Sequence, residues 1–179
     1  MRSRVCFITV LVSVLAAWAL PASAQDTSVT FAVQAGSLAV SVPADADLGT
    51  GDPGQTQTGQ IGAVTVTDER AALVAAWTAS VTSTAFTTGG GTADETIPNS
   101  AVEYWSGAAT AASGTGTFLP GQVIAASAVV LNQQRTAFAL TAGVGVGSNS
   151  ATWNPTLEIA IPAAAVTGTY RGTVTHTVL

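Results

Sequence analysis

From residue 29 onward the chain is written in period two. Val29, Phe31 and Val33 alternate with Thr30 and Ala32, Leu38, Val40 and Val42 with Ala39 and Ser41, Val64 and Val66 with Thr65 and Thr67, and Trp77, Ala79 and Val81 with Thr78 and Ser80. Successive side chains of an extended chain point to opposite sides, so each run predicts a strand with one face turned inward. Val102 with Tyr104, Val129 with Leu131, Phe138 with Leu140, and Leu157 with Ile159 and Ile161 repeat the pattern. The last run is the cleanest: Tyr170, Val174, His176 and Val178 share one face, while Thr169, Arg171, Thr173, Thr175 and Thr177 share the other. A β-branched hydroxyl residue suits a pleated surface facing solvent, so the abundance of Thr follows from strands and requires no chemistry.

Turn clusters separate these runs: Pro43-Ala44-Asp45, residues 49–54, Gly89-Gly90-Gly91, Gly114-Thr115-Gly116, Pro120-Gly121 and residues 143–149. Strand, turn and strand at short spacing predict an all-β fold, an antiparallel β-sandwich of Ig-like general architecture with roughly 8–11 strands. A helix competes only over residues 68–76, where Asp-Glu precedes an Ala-rich run. Residues 106–117, rich in Ala, Gly and Thr, read as a long flexible connection.

Residues 1–24 stand apart. Arg2 and Arg4 lead an apolar run from Val5 to Leu20, and Ala22-Ser23-Ala24 has the small-residue pattern of a cleavage site, so a secretory leader removed after Ala24 is expected. The overall figures, 47% hydrophobic and 8% charged over 179 residues, then change meaning. The exported chain, residues 25–179, is expected to be one domain and keeps only Arg70, Arg135 and Arg171, with no Lys; against ten Asp and Glu its net charge is −7. Three scattered cations cannot neutralise a row of phosphates, which argues against nucleic acid and anionic lipid as partners. The only Cys, Cys6, lies in the leader, so no disulfide or thiol chemistry is expected after export. No later apolar run approaches the roughly 20 residues that cross a bilayer as a helix.

Candidate chemistry is sparse. The only His, His176, falls on the apolar face of the last strand, where a general base is poorly placed. Asp68-Glu69 and Asp94-Glu95 are adjacent pairs whose members point to opposite sides of an extended chain. No enzymatic activity and no cofactor are expected. Asp45, Asp47 and Asp52 crowd a Gly-rich loop, the weak beginnings of a calcium site, but EF-hand spacing fails because Gly49 and Thr56 fill its fifth and twelfth positions. Among the aromatics, Trp77 is in phase with Ala79 and Val81 and is expected to be buried, Trp153 stands near the start of a strand before Asn154-Pro155, and Tyr104 and Trp105 must face opposite ways. Trp105 is therefore the best candidate for an exposed ring of the kind that stacks on sugars.

Read together, Val-Thr-Val-Thr-Asp-Glu-Arg at 64–70, Trp77-Thr78-Ala79, Gly-Val-Gly-Val-Gly at 143–147, Ile161-Pro162 and the segment 168–178 resemble the WxL domain of Gram-positive surface proteins. The resemblance spans nearly the whole exported chain. Its two Trp-x-Leu motifs correspond here to Trp77-Thr78-Ala79 and His176-Thr177-Val178, the second preceded by the Tyr170 of a Gly-x-Tyr segment, so the chain resembles a divergent member. It implies a secreted domain attached non-covalently to the cell wall through peptidoglycan or another wall polymer, often beside a membrane-anchored surface protein. Two rivals stand beside that expectation: a structural or adhesive subunit pairing by edge strands, and a secreted hydrolase.

Overall fold

Alternate β-branched and aromatic residues build fourteen strands in the computed structural model, which describes residues 27–34, 36–144 and 148–179. In chain order they are β1 (Leu38–Ser41), β2 (Thr56–Gln60), β3 (Val64–Asp68), β4 (Val74–Ser83), β5 (Phe86–Thr87), β6 (Thr96–Ile97) and β7 (Val102–Trp105). They continue with β8 (Ala109–Ser113), β9 (Thr117–Pro120), β10 (Val129–Val130), β11 (Arg135–Val144), β12 (Asn149–Trp153), β13 (Thr156–Ala160) and β14 (Val174–Val178). The expected leader and its cleavage site lie outside the described residues, as do residues 145–147 of the turn cluster at 143–149.

All strand pairs are antiparallel, and one four-stranded sheet runs β14-β4-β11-β9. Two further sheets, β1-β3-β12-β8 and β10-β7-β13-β2, share their connectivity. β2 leads into β3, β7 into β8 and β12 into β13 across links of two or three residues, and these pairs keep the same lateral order. The two sheets are thus halves of one front layer built from three long interrupted strands, opposite the β14-β4-β11-β9 back layer. The links are themselves tied together, since the Ile61 amide donates to the Pro155 carbonyl at 3.1 Å. At the first link the inward positions change from odd numbers, ending at Ile61, to even numbers beginning at Val64. Gly62 absorbs the extra residue at φ +93, and a Cβ there would meet Pro43 Cγ at 2.7 Å.

The inner faces supply the core: Val64 and Val66 from β3, Tyr104 from β7, Trp77, Ala79 and Val81 from β4, Phe138 and Leu140 from β11, and Trp153 from β12 are buried. Trp153 stacks on Phe138 with ring centroids 4.9 Å apart.

Several sequence expectations are corrected. Residues 68–76 form no helix, because Asp68 ends β3 inside the core and β4 begins at Val74, with Ala71 turning the chain at φ 52. Residues 106–117 are not a loose connection, since β8 pairs with β12 from Ser113↔Ser150 to Ala109↔Trp153. The alternation at 29–33 gives no strand: residues 27–34 are irregular, and Val29, Phe31 and Val33 are 81%, 87% and 79% exposed. Period two states which side of a strand would turn inward, but a strand also needs an edge to pair with. Gln34–Leu179 packs as one unit. No helix among the described residues is long and apolar enough to cross a membrane.

Candidate functional site

The residues that carry the Trp-x-Leu resemblance enter two buried hydrogen-bond networks. Asp68, 2% exposed at the end of β3, accepts from the Arg70 amide at 3.0 Å and from Arg70 Nε and Nη2 at 2.8 and 2.9 Å. Asn149 at the start of β12 donates to Asp68 Oδ2 at 3.3 Å, and its Oδ1 accepts the Trp77 indole N–H at 2.8 Å. Residues 66–70 and Trp77 are therefore one unit, and Arg70 extends it by donating to the Ala76 carbonyl at 2.9 Å. The Arg70 guanidinium holds the Asp68 carboxyl at about 2.

The second network starts at Trp153, whose indole N–H donates to the Tyr104 oxygen at 3.1 Å, and the Tyr104 hydroxyl lies 3.3 Å from His176 Nε2. With its oxygen already accepting, Tyr104 can donate its proton to Nε2, which leaves the His176 proton on Nδ1. Burial pushes the Tyr104 phenol up, so it stays protonated, and pushes His176 down to about 4. Tyr170, half-buried, sets its hydroxyl 3.0 Å from the carbonyls of Asp94 and Val166 and fastens the approach to β14.

A pH prediction arises here. The unfolded chain takes up the His176 proton near pH 6.5 and the folded chain only near 4, so the unfolded state binds more protons between those values. Stability is expected to be level above pH 6.5 and to fall by up to about 3 kcal/mol as pH drops to 4. Urea titrations across this range check it: His176→Phe should flatten the slope, and an unchanged slope would assign it to other groups.

The candidate binding residues do not converge. Trp77, Ala79, Tyr104, Trp153 and His176 are buried, Val178 and Tyr170 are half-buried, and Thr78 and Thr177 are exposed on the outer face of the back layer. Asp47 accepts the Gly49 amide at 2.8 Å, a turn role, and no cluster of three or more His, Cys, Asp or Glu suited to a metal forms among the described residues. Asp45 instead lines a cavity of about 200 Å³ between the 42–48 loop and β14, together with Leu48, Ile61, Phe86 and His176.

Trp105 differs. It is half-buried on the outer face of the front layer, opposite in direction to Tyr104. Register places Trp105 beside Thr156 and Gln60, and the next row on that face holds Glu103, Glu158 and Thr58. Further along the same face, the Thr65 and Thr152 hydroxyls lie 2.9 Å apart, as do those of Ser113 and Ser150. The Glu103↔Glu158 pair was invisible in the sequence, because the residues are 55 positions apart and only the register makes them neighbours. Like charges directly opposite cost about 0.2–1 kcal/mol, and neither carboxylate is hydrogen-bonded or ion-paired among the described residues. The arrangement offers one aromatic face, two open acceptor groups, an amide and hydroxyls on a flat surface, the chemistry that accepts a polyhydroxylated ligand.

Compared with known protein families, characterised proteins and solved structures, the chain matches none.

Proposed function

We propose that the protein is a secreted cell-surface module that binds peptidoglycan or another wall polymer non-covalently through the outer face of the front layer. The observation that carries the reading is the position of Trp105, the one tryptophan of residues 25–179 not committed to the core, amid hydrogen-bonding groups. Stacking a sugar ring on the indole removes apolar area from water, while Glu103, Glu158 and Gln60 take hydroxyl or amide protons of the chain passing over them. The Trp-x-Leu-like positions support this reading as framework: Trp77 and His176 hold the layers together, so replacing a second motif tryptophan by His176 is a change of packing. The exposed face is the part left for contact.

Sedimentation of the exported protein with purified cell walls tests the proposal. A central aromatic anchor contributes about 2 kcal/mol or more, so Trp105→Ala should weaken binding about 30-fold. The fold should lose about 1 kcal/mol or less. Wild-type protein that stays in the supernatant, or a Trp105→Ala protein that sediments equally well, would overturn it.

A second reading, a subunit that pairs with another surface protein by its edge, is favoured by β14, which ends its sheet and whose one strand partner among the described residues is β4.

A further inference from the structure

We infer that the outer face of the front layer selects, among wall polymers, a glycan that carries free amines, with one sugar ring stacked on Trp105 and an ammonium group held between Glu103 and Glu158. The inference rests on the wall-binding reading and names the chemistry of its ligand.

Charge on that face is of one sign and in one place. Across the strands of the two front sheets the charged side chains are Asp68, Glu103 and Glu158, and Asp68 is turned into the core against Arg70. Glu103 and Glu158 lie directly opposite each other, half-buried, and neither is hydrogen-bonded or ion-paired among the described residues. Like charges so placed repel. The chain supplies nothing to relieve them: it has no Lys, and the Arg135 Nε on the neighbouring turn donates instead to the Val130 carbonyl at 2.9 Å. An ammonium from outside completes the arrangement, because it has three donors, no acceptor, and two carboxylates to bridge whose Cβ atoms are about 5 Å apart.

A second observation places a ring beside that cation. One row along, roughly 6.6 Å away at two residues of strand, lie Trp105, Thr156 and Gln60. Thr156 faces outward, since Leu157 after it is in the core, yet it is only 8% exposed and its hydroxyl makes no hydrogen bond among the described residues. The described side-chain atoms that are both sealed from water and unpartnered are Gln122 Oε1 and Asn154 Oδ1, so the Thr156 hydroxyl opens onto this face. A recessed hydroxyl without a partner, beside a half-buried indole, is a place for a hydroxyl of the ligand. An amino sugar matches all three features, with C–H groups for the indole, a ring hydroxyl for Thr156 and a nitrogen within reach of the next row.

The same groups determine what is turned away. A phosphate-rich wall polymer meets two carboxylates on an acidic chain, and an N-acetylated glycan keeps the ring and hydroxyls but brings no charge to set between Glu103 and Glu158.

Calorimetric titration of the exported protein with a glucosamine hexamer and with an N-acetylglucosamine hexamer tests this. The glucosamine hexamer should bind about tenfold more tightly, the combined effect of two surface ion pairs at the upper end of their usual strength. Glu103→Gln and Glu158→Gln together should erase that preference and leave the affinity for the N-acetylated hexamer unchanged; the variant should unfold no earlier than wild type, because a repulsion is removed. Asp45→Asn and Asp94→Asn together, the same change of charge at positions on no strand, should keep the preference. In about 1 M salt, where the screening length falls to about 3 Å, the preference should shrink while Trp105→Ala still weakens both hexamers. No binding of either hexamer, equal affinity for the two, a preference that survives Glu103→Gln with Glu158→Gln, or one lost equally in Asp45→Asn with Asp94→Asn would each overturn the inference. Sedimentation with cell walls that still depends on Trp105 would then leave the wall-binding reading in place, and its loss would remove both.

Discussion

Trp153→Ala is expected to remove about 3–5 kcal/mol of folding stability, the range for deleting a large aromatic from a packed core. Trp153 is fully buried where β12 meets the link to β13, stacked on Phe138 at 4.9 Å, and its N–H is the donor that orients Tyr104 toward His176. The substitution opens a cavity between the layers and withdraws that donor, so packing and hydrogen bonding are lost together. Because a domain of this size commonly has about 5–15 kcal/mol in total, much of the variant could be unfolded at growth temperature. Urea denaturation followed by near-UV dichroism checks it. Trp153→Phe should cost less, since it refills most of the volume and forfeits only the hydrogen bond. A Trp153→Ala midpoint shift no larger than that of Trp105→Ala would refute this account of the core.

That contrast between two tryptophans shows what the sequence could and could not say. Period two identified the inward sides of β3, β4, β7, β11, β13 and β14, because those strands are backed by the opposite layer and a one-residue slip would expose a whole apolar set. Trp77 was in phase with Ala79 and Val81, and all three are buried. β2 was illegible: Thr-Gln-Thr-Gly-Gln has no apolar alternation, and the segment is a strand only because β13 pairs with it. β8, read as loose chain, is likewise drawn into the front layer by β12. Residues 29–33 failed the other way, since they have alternation but pair with no strand among the described residues.

The candidate site was less legible for the same reason. A pattern along one strand predicts that Tyr104 and Trp105 diverge, but not that Glu103 lies against Glu158 or that Asp68, Asn149 and Trp77 join from three strands. In the sequence Asp68 stood only as the first of an Asp-Glu pair at the head of an Ala-rich run. Its phase with Val64 and Val66 was the available signal that it points inward, and a buried carboxylate must find partners. Arg70, two residues on, is the cation close enough to supply them.

The consequence of that burial is the second large effect expected. Asp68→Ala should cost about 3–4 kcal/mol, toward the lower part of the range for breaking a buried pair because Arg70 is about one-third exposed and can partly rehydrate. The loss spreads beyond the ion pair. Without the carboxylate, Asn149 loses the acceptor that holds its amide, and with it the orientation that presents Oδ1 to the Trp77 indole. A pH profile separates this role from mere bulk. The Asp68 carboxyl ionises near 2 when folded and near 3.8 when unfolded, so its contribution is complete above about pH 4 and is lost as pH falls toward 2. That window lies below the His176 window, so the two groups can be read from one curve. In Asp68→Ala the slope between pH 4 and 2 should diminish by about 2 kcal/mol while the slope between 6.5 and 4 persists. Asp68→Asn should not restore stability, because its amide would turn N–H groups toward Arg70 and Asn149, both already donors at that point. If Asp68→Asn unfolds at the wild-type midpoint and keeps the wild-type acid slope, the buried carboxylate is not what joins β3, β12 and β4.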